Sequence, residues 1–235
     1  MQATVFLIPT YLHPDAPETI PAYVLPAVQQ CHAFFVENER TARRYLKKLW
    51  PQMVIDEYQW FTIHKAEAQV LHDFKQLLSQ QKNIGIISEA GCPGIADPGQ
   101  ILIEAAQQTG ATVAPLVGPN SIILALMASG MNGQHFQFHG YLPIDASARR
   151  QKIKELENEA ANKNCTQIFI ETPFRNNQMI TEIVQTSKPT TRLCIAADLT
   201  APQQYIKTNT ITEWKKKQPD FHKRLCIFLL AANTV

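Results

Sequence analysis

Short β-rich runs and longer amphipathic runs alternate along almost the whole sequence, and no other feature restricts its possible folds as strongly. Strands are expected at 4–8, 33–37, 84–88, 112–116, 137–141, 167–171, 192–196 and 225–230. Helical patterns fall between them at about 20–30, 40–49, 66–81, 98–109, 121–129, 147–162, 174–186 and 211–217. Such alternation calls for an α/β fold: mainly parallel sheets whose crossover helices cover both faces. Gly110 and Gly130 stand where left-handed residues end helices, and Asp97 before Pro98 has the form of an N-cap with proline in the first turn. With 235 residues, the pattern divides into two α/β lobes. "PLVGPNS" at 115–121 sets the boundary, giving domains 1–117 and 118–235.

Composition removes several classes of function. No stretch approaches the ~18 apolar residues of a membrane span, and "MQATVFLIPTYLHP" lacks the basic flank and cleavage site of a signal peptide. A cytoplasmic protein without a membrane partner is expected. The cysteines, Cys31, Cys92, Cys165, Cys194 and Cys226, are odd in number and form no CxxC pair, so neither a disulfide framework nor a zinc site is indicated. His135 and His139 alternate with Phe136 and Phe138 but have no acid at ligand spacing, so no metal is expected. Lys plus Arg exceed Asp plus Glu by 22 to 20, so net charge does not mark a nucleic-acid binder. The basic clusters at 40–48, 149–152 and 215–217 read as solvated helix faces.

Two loops stand where an open α/β sheet binds ligands, after a strand and before a helix. One is "SEAGCPGIADPG" at 88–99 and the other is "VGPNS" at 117–121. Glycines 91 and 94 let backbone approach a ligand closely, while Pro93 and Pro98 stiffen the loop. Neither GxGxxG after the first strand nor GxxxxGK[ST] is present, and Glu89 and Asp97 would repel a phosphate. A neutral or cationic ligand, such as a sulfonium cofactor, suits this loop better.

These loops, followed by "FHGYLP" at 138–143, resemble the tetrapyrrole-methylase-like S-adenosylmethionine methyltransferases. Within that family the motifs are most similar to the ribosomal RNA small subunit methyltransferase I group, which methylates a cytidine ribose 2′-hydroxyl. "VENERTARRYL" at 36–46 and "ETPFR" at 171–175 extend the resemblance over nearly the whole chain. It implies two α/β domains with S-adenosylmethionine in the cleft between them, a homodimer, and small-subunit ribosomal RNA as partner. Carried over, the cofactor loops are Gly91, Cys92, Pro93, Gly94 and Ile95, then Gly118, Pro119, Asn120 and Ser121, with Pro9, Thr10, Thr172 and Ala197 along the walls. The chain departs from the family in its glycine-free first loop, "IPTYLHPDAPETIP", in Glu89 for the usual aspartate, and in Asn120 for the usual serine. It also ends at Val235 without the group's small helical extension. These departures bear on the acceptor more than on the cofactor.

Methyl transfer from a sulfonium is an in-line displacement, so alignment and exclusion of water matter most. A ribose hydroxyl also gains from a proton acceptor. Glu37 and Glu171 are the candidate acceptors, with Arg40 and Arg175 placed to hold a phosphate or favour the alkoxide; Glu89 is a weaker candidate. The bland reading of both acid–arginine pairs is helix entry and surface pairing. Two further functions stay open: a methyltransferase of the same fold acting on a tetrapyrrole or other small acceptor, and a non-catalytic cofactor- or RNA-binding protein.

Overall fold

The computed structural model describes residues 2–63 and 67–232, which divide into two compact units, Met1–Asn120 and Ser121–Val235. In the first, five strands form one sheet: β1 (Thr4–Ile8), β2 (Ala33–Val36), β3 (Gln59–Thr62), β4 (Ile84–Ile87) and β5 (Thr112–Pro115). Their order is β3-β2-β4-β1-β5, and every neighbouring pair is parallel. Helices α1 (Val24–Val28), α2 (Glu39–Leu49), α3 (Glu67–Ser79) and α4 (Gln100–Gln108) join them. Strand alternation sorts the core: Phe34 and Val36 pack with Tyr45 and Leu46 on one face, Ala33 and Phe35 with Phe74 and Leu102 on the other.

The expected elements are present in order, and two strands were missed. β3 was hidden because it is a half-exposed edge strand reading Gln-Trp-Phe-Thr, without the apolar alternation that marks a strand. The helix expected at 66–81 begins at residue 66, outside the described residues; α3 follows from Glu67. α2 forms where expected for local reasons. Asn38 caps it by accepting from the backbone N–H groups of Arg40 (3.0 Å) and Thr41 (3.4 Å), Glu39 lies in its first turn, and Lys47 and Lys48 in its last.

The second unit holds α5 (Ser121–Ser129), β6 (Phe136–Tyr141), α6 (Ala146–Lys163), β7 (Thr166–Ile170), α7 (Asn176–Thr186), β8 (Arg192–Ala197), β9 (Tyr205–Thr210), α8 (Ile211–Lys216) and β10 (Cys226–Ala231). Its sheet order is β6-β7-β10-β8-β9, and here the expectation of mainly parallel strands is corrected. Only β6–β7 is a parallel pair; β7–β10, β10–β8 and β8–β9 are antiparallel. The cause is β9, a polar edge strand that the sequence pattern did not reveal. It follows β8 through a turn too short for a crossover, so the chain reverses there. β10 then runs opposite to β7 and β8 and fills the slot between them.

The cluster at 149–152 is not wholly a solvated face. Arg149 is 2 % exposed, and its Nε and Nη2 donate to the two carboxylate oxygens of Glu182 at 2.7 and 2.6 Å. Its Nη1 donates to the carbonyls of Pro143 (3.1 Å) and Ile144 (2.6 Å), fastening the start of α6 to α7 and to the segment that leads in from β6. Among the described residues no helix is long and apolar enough to cross a membrane.

Candidate active site

Three loops emerge from the C-terminal ends of β4, β1 and β5, which are neighbours in the first sheet, and they lock together. The N–H of Thr10 donates to the Gly91 carbonyl at 2.8 Å and the N–H of Gly91 returns to the Thr10 carbonyl at 3.2 Å. Ser88 Oγ donates to Gly91 O, and Thr10 Oγ1 to Ser88 O, both at 3.3 Å. Gly91 and Gly94 both have φ of +81°, a conformation side chains resist, so the turn depends on glycine at these points. Cys92 Sγ lies 3.6 Å from the Gly118 carbonyl and 3.5 Å from that of Pro119, and burial raises its thiol pKa.

The expected N-cap at Asp97 is corrected. The cap of α4 is Gly99, and Asp97 Oδ1 accepts instead from the N–H of Gly94 (2.7 Å) and of Gly99 (2.9 Å). Its carboxylate thus braces the loop across its width, because Gly94 bends back toward the helix start. The outcome is a stiff backbone surface on which Pro93 is buried and Ile95 exposed. Pro9 is held from behind by Tyr45, whose hydroxyl donates to its carbonyl at 2.6 Å.

Glu37 and Glu89, far apart in sequence, come together beside this surface. The Glu89 N–H donates to Glu37 Oε1 at 2.9 Å, and the Thr41 hydroxyl donates to Glu89 Oε1. Arg40, on the first turn of α2, is exposed. A cleft of about 410 Å³ opens here, lined among others by Thr10, Tyr11, Thr41, Arg44, Tyr45 and Glu89. Sequence reasoning passed over Thr41, Arg44 and Tyr11 as ligand-facing residues. The first two lie inside the quoted "VENERTARRYL" run, but their spacing resembles that of any solvated helix.

The other expected positions lie in the second unit, apart from Asn120 at the end of the first. Glu171 follows β7 and is 5 % exposed. Its Oε1 accepts from Thr172 N (2.6 Å) and from Arg175 Nε (3.0 Å) and Nη2 (2.7 Å), while Arg175 Nε also reaches Thr172 Oγ1 (3.2 Å). Arg175 is the residue that caps α7. Ser121 opens α5, and Ala197 ends β8 with its side chain in the core, leaving only backbone to meet a ligand. His139 Nε2 pairs with Gln167 Oε1 at 2.6 Å and His135 Nδ1 with the Lys163 carbonyl at 3.1 Å. Among the described residues no cluster of His, Cys, Asp or Glu could hold a metal ion.

Parallel strands carrying interlocked C-terminal loops, joined to a second, mixed sheet, agree with what the sequence comparison finds. Residues 13–215 match the family Tetrapyrrole (Corrin/Porphyrin) Methylases. The chain belongs to this family. Among its curated relatives, the ribosomal RNA small subunit methyltransferase I of Buchnera aphidicola subsp. Schizaphis graminum is 34% identical over 150 residues, covering 63% of this chain and 51% of the relative. The protein of the same name from Vibrio cholerae is 34% identical over 157 residues, covering 65% and 52%. The tetrapyrrole methylase chain thus spans about half the length of the curated relatives it matches. A crystal structure of diphthine synthase superposes with a TM-score of 0.68 at 13% identity, over 100% of this chain and 91% of the other, and shares the fold.

Proposed function

We propose that this protein transfers a methyl group from S-adenosylmethionine to the 2′-hydroxyl of a cytidine in small-subunit ribosomal RNA. The observation that carries the cofactor is the interlocked surface of Thr10, Gly91 and Gly118, where backbone, not charged side chains, faces a ligand. The curated relatives' name and the motifs in "ETPFR" and "VENERTARRYL" support the acceptor. The same reading makes the protein a cytoplasmic homodimer.

When bound, the cofactor would supply an electrophilic methyl group on a sulfonium, with a neutral thioether as the leaving group. Gly91, Cys92, Pro93, Gly94 and Ile95 present the floor of its site, and Pro9, Thr10, Gly118, Pro119 and Asn120 border it. Asp97 keeps the floor rigid, so little ordering is left for the binding step. As the ribose oxygen forms its bond to carbon, its proton passes to the Glu37 carboxylate, and Arg40 holds a flanking phosphate. The three donors on Glu171 Oε1 favour an anchoring role for Glu171 and Arg175, fixing Thr172 at the start of α7.

Calorimetry with S-adenosylmethionine and its demethylated product, followed by transfer of labelled methyl to under-methylated small ribosomal subunits, tests this reading. Binding of both ligands and methylation of the RNA are expected. Binding of neither overturns the cofactor assignment. Transfer to a porphyrinoid in place of RNA overturns the acceptor, and binding without turnover on any acceptor overturns the activity.

A further inference from the structure

The five cations of α2 divide into two groups. Arg43 pairs with Glu39 one turn away and its guanidinium lies over the Trp60 ring, 5.1 Å from the centroid. Lys47 donates to the carbonyls of Pro51 (2.6 Å) and Met53 (3.0 Å), turned to the loop that follows the helix. These two are occupied in holding the fold. Arg40, Arg44 and Lys48 differ. Among the described residues the side chains of Arg40 and Arg44 make no hydrogen bond or ion pair, and both are exposed. Among the described residues Lys48 likewise touches only neutral groups, the Pro14 carbonyl at 2.6 Å and the Tyr11 ring at 5.3 Å, and pairs with no carboxylate.

Residues four apart on a helix drift only about 40° around it and rise about 6 Å, so Arg40, Arg44 and Lys48 form one stripe. That stripe borders the 410 Å³ cleft, because Arg44 lines it together with Thr41, Ala42 and Tyr45 from the neighbouring rows, and Pro14 and Tyr11 from the first loop. The cleft is of a size with small-ligand sites, which begin at about 300 Å³. Its floor is the Glu89 loop that also borders the proposed methyl-transfer site. A row of unpaired cations beside a one-residue cleft suits a chain of regularly spaced anions from which one unit turns inward.

We propose that the Arg40, Arg44 and Lys48 stripe holds the phosphodiester backbone of a single-stranded stretch of RNA along α2, with one nucleotide entering the cleft between α2 and the Tyr11 and Glu89 loops. The proposal rests on the RNA acceptor of the preceding section and adds the surface that receives the strand. Phosphate contacts of this kind position the strand without reading its sequence, so recognition of the acceptor base falls to the cleft itself.

The test is fluorescence anisotropy of the full chain with a labelled single-stranded oligoribonucleotide, over a series of salt concentrations. Each phosphate contact to a single strand contributes about −0.7 to the slope of log K against log salt. The triple variant Arg40→Gln, Arg44→Gln, Lys48→Gln should flatten that slope by about 2 and weaken binding about a hundredfold at 0.1 M salt. Calorimetry with S-adenosylmethionine should give unchanged affinity, which shows that the variant is folded. Should the triple variant lose cofactor binding, Arg44→Gln alone, which removes no contact in the fold, should flatten the slope by about 0.7. The variant Arg43→Gln, Lys47→Gln removes two charges from the same helix, as does the matched stripe variant Arg40→Gln, Arg44→Gln, and should leave the slope within about 0.5 of the original. Equal loss in both sets, an unchanged slope in the stripe variants, or equal competition by polyglutamate overturns the stripe as an RNA-backbone site. Wild-type protein that binds S-adenosylmethionine but no RNA overturns the RNA acceptor itself, a different result from RNA binding that ignores the stripe.

Discussion

Gly118 and Pro9 are in such close contact that a Cβ at position 118 would stand 2.1 Å from Pro9 Cβ and 2.6 Å from its Cγ. Only glycine lets the loop after β5 close on the loop after β1. Pro9 cannot easily retreat, since Tyr45 holds its carbonyl from the other side. Gly118→Ala should therefore displace the two loops and lower S-adenosylmethionine affinity by at least tenfold, a loss of about 1.4 kcal/mol. Calorimetry measures it. Thermal unfolding should also move down, since overpacking against the buried Pro9 costs about 1–3 kcal/mol; an unchanged affinity in the folded variant would remove Gly118 from the cofactor site.

Cys92 offers a chemical probe of the same surface. It is the one cysteine of five that is not buried. Cys31 and Cys226 are enclosed, and burial pushes the Cys226 thiol up to about 12. Native protein should expose one thiol to a disulfide reagent, slowly at neutral pH because burial also raises Cys92. Saturating S-adenosylmethionine should slow that reaction further. Labelling kinetics followed by peptide mass analysis check both statements, and labelling of Cys92 at the same rate with and without cofactor would place the ligand elsewhere.

The buried pair Arg149 and Glu182 should govern part of the stability of the second unit. Removing one partner leaves a charge enclosed, so Arg149→Ala should cost about 3–5 kcal/mol, whereas replacing both by apolar residues of similar volume should be far less harmful. The hydrogen bonds from Arg149 hold Glu182 below its ordinary carboxylate range. A carboxylate depressed on folding stabilises fully above its unfolded pKa, and this contribution is lost as pH falls through the lower folded value. Urea unfolding between pH 7 and pH 3 should show acid destabilisation beginning near the ordinary Glu value of 4.5 and continuing below it. The double apolar variant should lose this component of the pH dependence.

These residues also show how far sequence could reach. The parallel first sheet was legible because its strands β1, β2 and β4 are buried apolar runs between amphipathic helices. The reversal in the second sheet was not, since β9 reads Tyr-Ile-Lys-Thr-Asn-Thr and its strand character comes from pairing with β8. In the site, Gly91 and Gly94 announce a turn by composition alone. The junction of Glu37 with the Glu89 backbone does not, because a contact across 52 positions depends on which strands are neighbours, here β2 and β4. Arg149 and Arg150 look alike in sequence, and only the packing of α6 on α7 buries one of them.

Glu37 has two tasks that one substitution can separate. Its Oε1 accepts the Glu89 N–H, which fixes the loop, and its carboxylate is the proposed proton acceptor. Glutamine retains an acceptor oxygen of the same reach but cannot take a proton, so Glu37→Gln should keep the loop and the cofactor affinity. Single-turnover methyl transfer should nevertheless fall about 10²–10⁴-fold, the range for loss of a general base. Glu37→Ala should show the same kinetic loss and, in addition, weaker cofactor binding, since the Glu89 N–H loses its partner. Should Glu37→Gln turn over at the original rate while Glu37→Ala binds cofactor poorly, Glu37 is a positioning residue, and the proton leaves by another route.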